Sequence, residues 1–176
     1  MLVGDRIELV PPTMDLQPAV RSLVEASQQE LRQFLPWVDQ ALDDAKSIEN
    51  MREAIQNFES FQRELRFFIL SVDTHELLGV IGLFIVKKDV PAFEIGYWLG
   101  SAYTGRGFMA EAVALLERYA FDNRGAKRLQ IRVATHNPKS LAIAERAGYA
   151  LEGVLKQSER MPDGKLADMA MFAKVR

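Results

Sequence analysis

No cysteine occurs anywhere in the 176 residues, which excludes disulfides, thiol nucleophiles and thiolate metal sites together. Histidine is almost as scarce. Only His75 and His136 are present, so a histidine-rich metal centre is out of reach, and His75, within Asp73-Thr74-His75-Glu76, reads as a turn residue. No apolar run approaches the roughly 20 residues of a membrane span, and the opening MLVGDRIELV lacks the basic, apolar and small-residue succession of a secretion signal. These absences fit a soluble, cytoplasmic protein. Charge of one sign is also missing: 22 Lys and Arg against 24 Asp and Glu leave a formal −2, with a pI near 5.8. Such a chain has no general attraction for nucleic acid. Lys87, Lys88, Lys127, Arg128 and Arg160 are scattered and read as solvated surface. Two nucleotide-binding signatures are absent as well, the P-loop Gly-x-x-x-x-Gly-Lys-Ser/Thr and a strand-linked Gly-x-Gly-x-x-Gly. Repeats, low-complexity tracts and linkers do not occur.

Apolar residues make up 48% of the chain, enough for one domain over 1–176 with a substantial core and too short for two. Arg6 to Val10 alternates as a strand that Pro11-Pro12 stops. Thr13 or Asp15 then caps a helix with Leu16, Val20, Leu23 and Val24 on one face, and Leu35-Pro36-Trp37-Val38 breaks it into a connecting loop. A second helix runs from about Ser47 to Glu64, with Ile48, Met51, Ile55 and Phe58 as its core stripe. Arg66 to Val72 and Leu77 to Val86 form strands around the His75 turn. Ala92 to Leu99 completes an antiparallel meander.

Two stretches carry the functional signal. In AFEIGYWLGSAYTGRGFMAEA, from Ala92 to Ala112, a strand runs into Gly105 and Gly107 and then into a helix. A turn without β-carbons can curl its N–H groups toward one point, and the helix start adds unpaired donors and a positive dipole end. That cradle suits a phosphate or pyrophosphate. The helix shows Phe108, Ala112, Leu115, Leu116 and Tyr119 on one face and ends at Arg124-Gly125. After a strand from Arg128 to Ala134 comes His136-Asn137-Pro138-Lys139-Ser140, a helix start, with Gly148 just past that helix's end. Strands near Ala150 to Lys156 and Leu166 to Lys174 close the chain, and Tyr149 is expected to pack beneath them.

The segment GYWLGSAYTGRGFMAEA resembles the acetyl-CoA pyrophosphate loop of the Gcn5-related N-acetyltransferases (GNAT), in particular the branch that acetylates N-termini of ribosomal proteins. The resemblance runs from Arg6-Ile7-Glu8-Leu9 to Met169-Ala170-Met171-Phe172. It implies an α/β fold with a mixed central sheet of about seven strands, splayed in the middle, and about four helices on both faces. It also implies acetyl-CoA as cosubstrate, with no metal. The family's loop pattern falls on Thr104, Gly105, Arg106, Gly107, Phe108 and Met109. Thr104 and Met109 depart from it: Thr104 still has an N–H and a hydroxyl to donate, and Met109 would narrow the space beside the pyrophosphate. By the same resemblance Trp98, Leu99 and Gly100 supply main-chain contacts to pantetheine. Trp37 borders the acceptor groove, with a packed loop anchor as the alternative.

The chemistry is attack of an amine on a thioester. An α-amine, with a pKa near 8, needs less help than lysine near 10.4, so weak or water-relayed base catalysis suffices. The oxyanion needs a donor, and the departing thiolate gains from an acid or a positioned hydroxyl. In many members a tyrosine seven residues after the asparagine of the second stretch acts as acid; here that position is Ala144. The ribosomal-protein serine branch instead places a serine three residues after the asparagine, which makes Asn137 and Ser140 the matching pair and Ser140 the donor to the thiolate. Its alternative is a helix-capping hydroxyl. For the base the resemblance favours Glu159 over Glu94. The implied activity is acetylation of a protein N-terminal α-amine. Alternatives are a small amine such as an antibiotic or polyamine, and a non-catalytic acyl-CoA-binding module. A homodimer is possible.

Overall fold

Alternation of side chains along the strands sorts the apolar residues onto two faces of one sheet. A computed structural model describes residues 1–176. It contains β1 (Leu2–Val3), β2 (Ile7–Val10), α1 (Gln17–Leu31), α2 (Val38–Leu42), α3 (Asp44–Ser60), β3 (Glu64–Ser71), β4 (Leu77–Lys87) and β5 (Ala92–Leu99), followed by α4 (Phe108–Asn123), β6 (Arg128–Ala134), α5 (Pro138–Arg146), β7 (Ala150–Arg160) and β8 (Leu166–Val175). The spatial order of the strands is β1-β2-β3-β4-β5-β6-β8-β7. Odd-numbered residues of β2 to β5, among them Leu9, Phe67, Ile81 and Ile95, share a core with Phe108, Ala112 and Leu116 of α4 and Ala144 of α5. On the opposite face Phe68 and Val80 meet Met51 of α3, while Val24, Leu31 and Val38 join α1 to α2. Each such large side chain contributes on the order of 1.5–3 kcal/mol by leaving water. No helix is long and apolar enough to cross a membrane.

Several elements differ from the sequence expectation. The sheet has eight strands because Leu2–Val3 pairs with Glu8 and Leu9, and α2 is a fifth helix where a loop was expected. Neither Thr13 nor Asp15 caps α1, which follows a short 3-10 turn over Met14–Leu16 and starts without a side-chain cap. The start of α3 is set by Asp43, whose carboxylate accepts from Lys46 N, and its end by Phe61 at φ 43°. Glu64 therefore begins a strand and does not finish a helix. Strand β7 continues to Arg160, four residues past Lys156.

From β2 to β5 the strands are antiparallel, and α4 carries the chain across to β6, parallel to β5. That parallel ladder lasts for only three pairs, ending at Glu94↔Gln130. Beyond it β5 stays with β4 as far as Leu99↔Gly79, and β6 stays with β8 as far as Ala134↔Met169. The two strands diverge, leaving a splay between residues 95–99 and 131–134.

Candidate active site

Backbone direction decides which groups of β5 face the splay. Gly100 donates its N–H to Leu78 O (2.9 Å) and accepts from Tyr103 N. The Trp98 carbonyl lies against Gly79, 2.3 Å from where a β-carbon there would stand. Both therefore turn toward β4, and strand alternation turns the main-chain groups of Tyr97 and Leu99 toward the splay. Of the three expected pantetheine contacts, Leu99 alone has this orientation. Trp98 is turned to the ladder with β4, and Gly100 donates its N–H to Leu78 while its carbonyl accepts from Tyr103.

At the end of β5 the chain makes one 3-10 turn over Ser101–Tyr103 and enters the glycine loop. Gly105 and Gly107 have φ of 75° and 83°, a region that costs other residues roughly 1–2 kcal/mol. No side chain caps α4, whereas Asp43 caps α3 and Asn137 caps α5. The first N–H groups of α4 are thus free of any protein cap and point at the exposed loop. Thr104 behaves differently from expectation: its hydroxyl and N–H are both directed at Ser101 O (3.0 and 3.4 Å), so it braces the turn. Met109 is 3% exposed and belongs to the core, so its side chain does not narrow the loop. Phe108 is likewise buried, with the guanidiniums of Arg6 and Arg106 over its ring at 5.0 and 4.9 Å. Arg6 also donates to Arg106 O (2.9 Å) and to Glu111 (3.1 Å), tying the loop to the start of β2. A cavity of about 300 Å³ lined by Arg6, Glu76, Tyr103, Arg106 and Phe108 adjoins it.

The two faces of the splay carry different chemistry. On the α5 face, Asn137 Oδ1 accepts from Ser140 N (3.2 Å), and Ser140 Oγ lies 2.9 Å from the hydroxyl of Tyr97. Burial pushes the Tyr97 phenol up to about 12, against a smaller opposing effect of the Ser140 contact. Ala144, one turn further along α5, is completely buried, so the helix offers no room for a phenol of its own there.

The opposite face holds both candidate bases. Arg132 on β6 donates from Nε to Glu94 Oε2 (2.8 Å) and from Nη1 to Glu159 Oε1 (2.7 Å), and Gln130 also donates to Glu94 Oε2 (2.8 Å). The Glu94 carboxylate raises the pKa of Arg132, with partial burial opposing it and Glu159 adding to the rise. Glu159 does not sit in a loop. A bulge between Leu155 and Glu159, with Gln157 at φ 48°, returns it to the ladder opposite Ala167. Asp168 holds that bulge by accepting from Lys156 Nζ (2.9 Å) and Gln157 N (2.8 Å). On this same face Trp37, immediately before α2, packs on Trp98 with ring centroids 5.6 Å apart, and the rings of Phe34 and His136 have centroids 5.3 Å apart. Trp37 is therefore a packed anchor against β5.

Two residues of the site, Arg132 and Tyr97, escape the sequence reading. Each looks ordinary within its strand, Arg132 as an outward charge and Tyr97 as a core aromatic, and only the sheet order and the α5 approach give them partners. Tyr149 is buried beneath Lys174 of β8, whose ammonium lies 4.9 Å from its ring centre. A separate cavity of about 630 Å³ lies between α4, α5 and the end of β8, lined by Glu117, Phe121, Arg146 and Lys174 among others, away from the splay. No group of three or more His, Cys, Asp or Glu has an arrangement that holds a metal ion.

A splayed parallel pair beside an uncapped, glycine-entered helix is the architecture of an acyl-CoA-dependent transferase. The model of the acetyltransferase (GNAT) domain matches residues 6–150, and the chain belongs to that family; it is an acetyl-CoA-dependent N-acetyltransferase. It is 29% identical over 171 residues to the ribosomal-protein-serine acetyltransferase of Escherichia coli (strain K12), covering 94% of each chain. Its structure is similar to that of RimL, a ribosomal L7/L12 α-N-protein acetyltransferase solved with coenzyme A, with a TM-score of 0.89 and 27% identity over 98% of this chain and 96% of that one. It is also similar to the microcin C7 self-immunity acetyltransferase MccE, solved with acetyl-CoA and AMP, with a TM-score of 0.91 and 25% identity over 98% and 94%.

Proposed function

We propose that this enzyme acetylates the N-terminal α-amine of a protein, of the ribosomal-protein serine or alanine type, and that Glu159 serves as the base. The observation that carries this reading is the shared guanidinium of Arg132. It sets Glu94 and Glu159 on the face of the splay opposite Ser140, so that an amine and a departing thiolate are served from different sides. Glu94 Oε2 already accepts from both Gln130 and Arg132, with its side chain 20% exposed, whereas Glu159 accepts from Arg132 alone and is 41% exposed. Glu159 is thus the freer acceptor for the proton that the attacking nitrogen loses, directly or through water. Glu94 fixes the guanidinium.

Acetyl-CoA fits the chain's own geometry: Leu99 presents free backbone groups to the splay for pantetheine, and Gly105 to Met109 present the N–H groups of the loop and helix start to the pyrophosphate. Gly105 has nothing within 4 Å of where a side chain would stand, which leaves open space for a phosphate. Holding amine and thioester together contributes a large share of the rate. Ser140 donates to the leaving sulfur. Because Arg132 offsets part of the charge of the two carboxylates, the acceptor side is not a strongly anionic trough of the kind a polyamine would favour.

A small amine is the second reading, since MccE, of similar fold, is a microcin C7 self-immunity acetyltransferase solved with acetyl-CoA and the small molecule AMP. Mass spectrometry separates the two. Intact ribosomal proteins, peptides beginning with Ser, Ala and other residues, and a panel of small amines are each incubated with the enzyme and acetyl-CoA. One added acetyl on a Ser- or Ala-starting N-terminus supports the proposal; acetylation of small amines alone would replace it with the second reading.

A further inference from the structure

Ser140 has one hydroxyl proton, and its direction decides whether it reaches the sulfur. A serine O–H rotates to suit its surroundings, and at a helix start it commonly turns to nearby backbone groups. Here Asn137 already caps the Ser140 N–H, so the hydroxyl is not needed as a cap. Its neighbour is the Tyr97 hydroxyl at 2.9 Å, and only one of the two protons can lie between the oxygens. If Ser140 donates, its proton is held between the two oxygens and is not free for the sulfur. The Tyr97 hydroxyl also lies 3.4 Å from the Ser140 carbonyl, which can only accept. The phenol has a single proton, and Ser140 Oγ at 2.9 Å is a nearer acceptor for it than the carbonyl at 3.4 Å. Its upward-shifted pKa keeps its proton in place through the neutral range.

We propose that Tyr97 is a positioning residue for acetyl transfer: its phenol donates to Ser140 Oγ and so turns the Ser140 O–H toward the sulfur of CoA. As the amine nitrogen bonds to the carbonyl carbon and the carbon–sulfur bond breaks, the electron pair stays on sulfur, where the Ser140 O–H stabilises it. Tyr97 and Ser140 keep their protons. The proton that finally converts the thiolate to a thiol balances the one lost by the amine and travels through the base and solvent. This inference rests on the reading of Ser140 as thiolate donor, and it does not depend on which amine accepts the acetyl group. It also gives α5 a phenol that its own buried Ala144 position does not supply.

The test needs no acceptor. The thiol of CoA bound to the full chain is titrated by the ultraviolet absorbance of the thiolate, with desulfo-CoA bound to the same chain as the blank for tyrosine ionisation. The protein has no cysteine to interfere. Native protein is expected to lower the bound thiol by about 1 from the ordinary value of about 8.5. Tyr97→Phe and Ser140→Ala each remove most of that lowering, and the double variant removes no more than Ser140→Ala alone. CoA dissociation constants within about twofold of native, by calorimetry, establish that the variants are folded, and Tyr97→Met repeats the measurement if Phe disturbs packing. A native-like thiol in Tyr97→Phe beside a shifted one in Ser140→Ala overturns the role of Tyr97 alone. An unshifted thiol in Ser140→Ala overturns the reading of Ser140, and this inference with it. The N-terminal acceptor proposal stands or falls separately, in the peptide assay.

Discussion

Glu94 and Glu159 bind the same guanidinium although their strands are not neighbours, since β6 and β8 lie between β5 and β7 in the sheet. Arg132, on β6, bridges toward both, and this bridge separates their roles. A carboxylate held by two donors on one oxygen is an anchor; one held by a single donor and half open to water can take a proton. Glu159→Gln is therefore expected to lower kcat by roughly 10²–10⁴-fold, the range of general-base loss, with the KM for acetyl-CoA nearly unchanged. Glu94→Gln should lose only about tenfold. Steady-state thiol release measures both, and equal losses, or a larger loss for Glu94, would reverse the assignment.

Asp168 acts on Glu159 at a distance, through the bulge. Its carboxyl is held below the usual carboxylate range, first by Lys156 and then by the Gln157 N–H. With the folded value lowered, its contribution is present above the unfolded pKa of about 3.9 and is lost as pH falls through the lower folded value. The bulge therefore holds throughout the neutral range. Asp168→Ala releases it at every pH, and kcat is expected to fall about tenfold with unaltered acetyl-CoA affinity. Steady-state kinetics with calorimetric titration of acetyl-CoA would contradict this if affinity and turnover fell together.

The parts legible in the sequence are those whose signals are local. Gly107 before Phe108 and Gly148 after Arg146 mark helix ends by positive-φ conformations that few other residues adopt, Asn137 before Pro138 marks a helix start by its capping side chain, and those ends stand where expected. The splay is legible only through resemblance, because nothing in Ile95 to Leu99 distinguishes a strand edge that pairs from one that does not. The end of α3 was hidden because Phe61 takes the left-handed conformation without being glycine. Glu159 lies beyond the strand expected to end near Lys156 because the bulge at Gln157 interrupts the alternation that would extend β7. Arg132 and Tyr97 carry no local signal, since their partners come from other elements.

Gly107 tests the loop. At φ 83°, a β-carbon would be strained and would also stand 3.1 Å from Arg6 Nη2, disturbing the contact that ties Arg106 O to Arg6. Gly107→Ala should destabilise the fold by about 1–2 kcal/mol and weaken acetyl-CoA binding about tenfold or more. Gly105→Ala meets no protein atom, so its stability should fall only by the backbone cost, about 1 kcal/mol, while its methyl enters the space assigned to the phosphate and weakens CoA binding as well. Thermal melts with and without CoA read both effects; native-like CoA affinity in both variants would argue against the phosphate cradle.

Ala144 is where a tyrosine acid would be expected from the family resemblance, yet restoring one should fail. The position has no exposed surface and lies in the core shared with α4 and β6. Overpacking of this kind typically costs about 1–3 kcal/mol, so Ala144→Tyr should lower stability and activity together. Denaturant unfolding beside kinetics checks this, and a stable variant with increased turnover would show that α5 can shift to admit the ring.

Tyr97 also predicts how the enzyme responds to alkali. Its folded pKa of about 12 lies above the ordinary value of 10.0, so the folded state keeps a proton that the unfolded chain releases. The associated stability is fully present below pH 10 and is lost as the pH rises through about 12. A phenylalanine at this position has no proton to lose. The native protein should therefore lose stability more steeply than Tyr97→Phe between about pH 10 and 12, by up to about 2 kcal/mol over that window. Denaturant midpoints at stepped pH give the two slopes. Parallel slopes would mean that the Tyr97 hydroxyl is open to water, and a hydroxyl open to water could not hold Ser140 in one orientation.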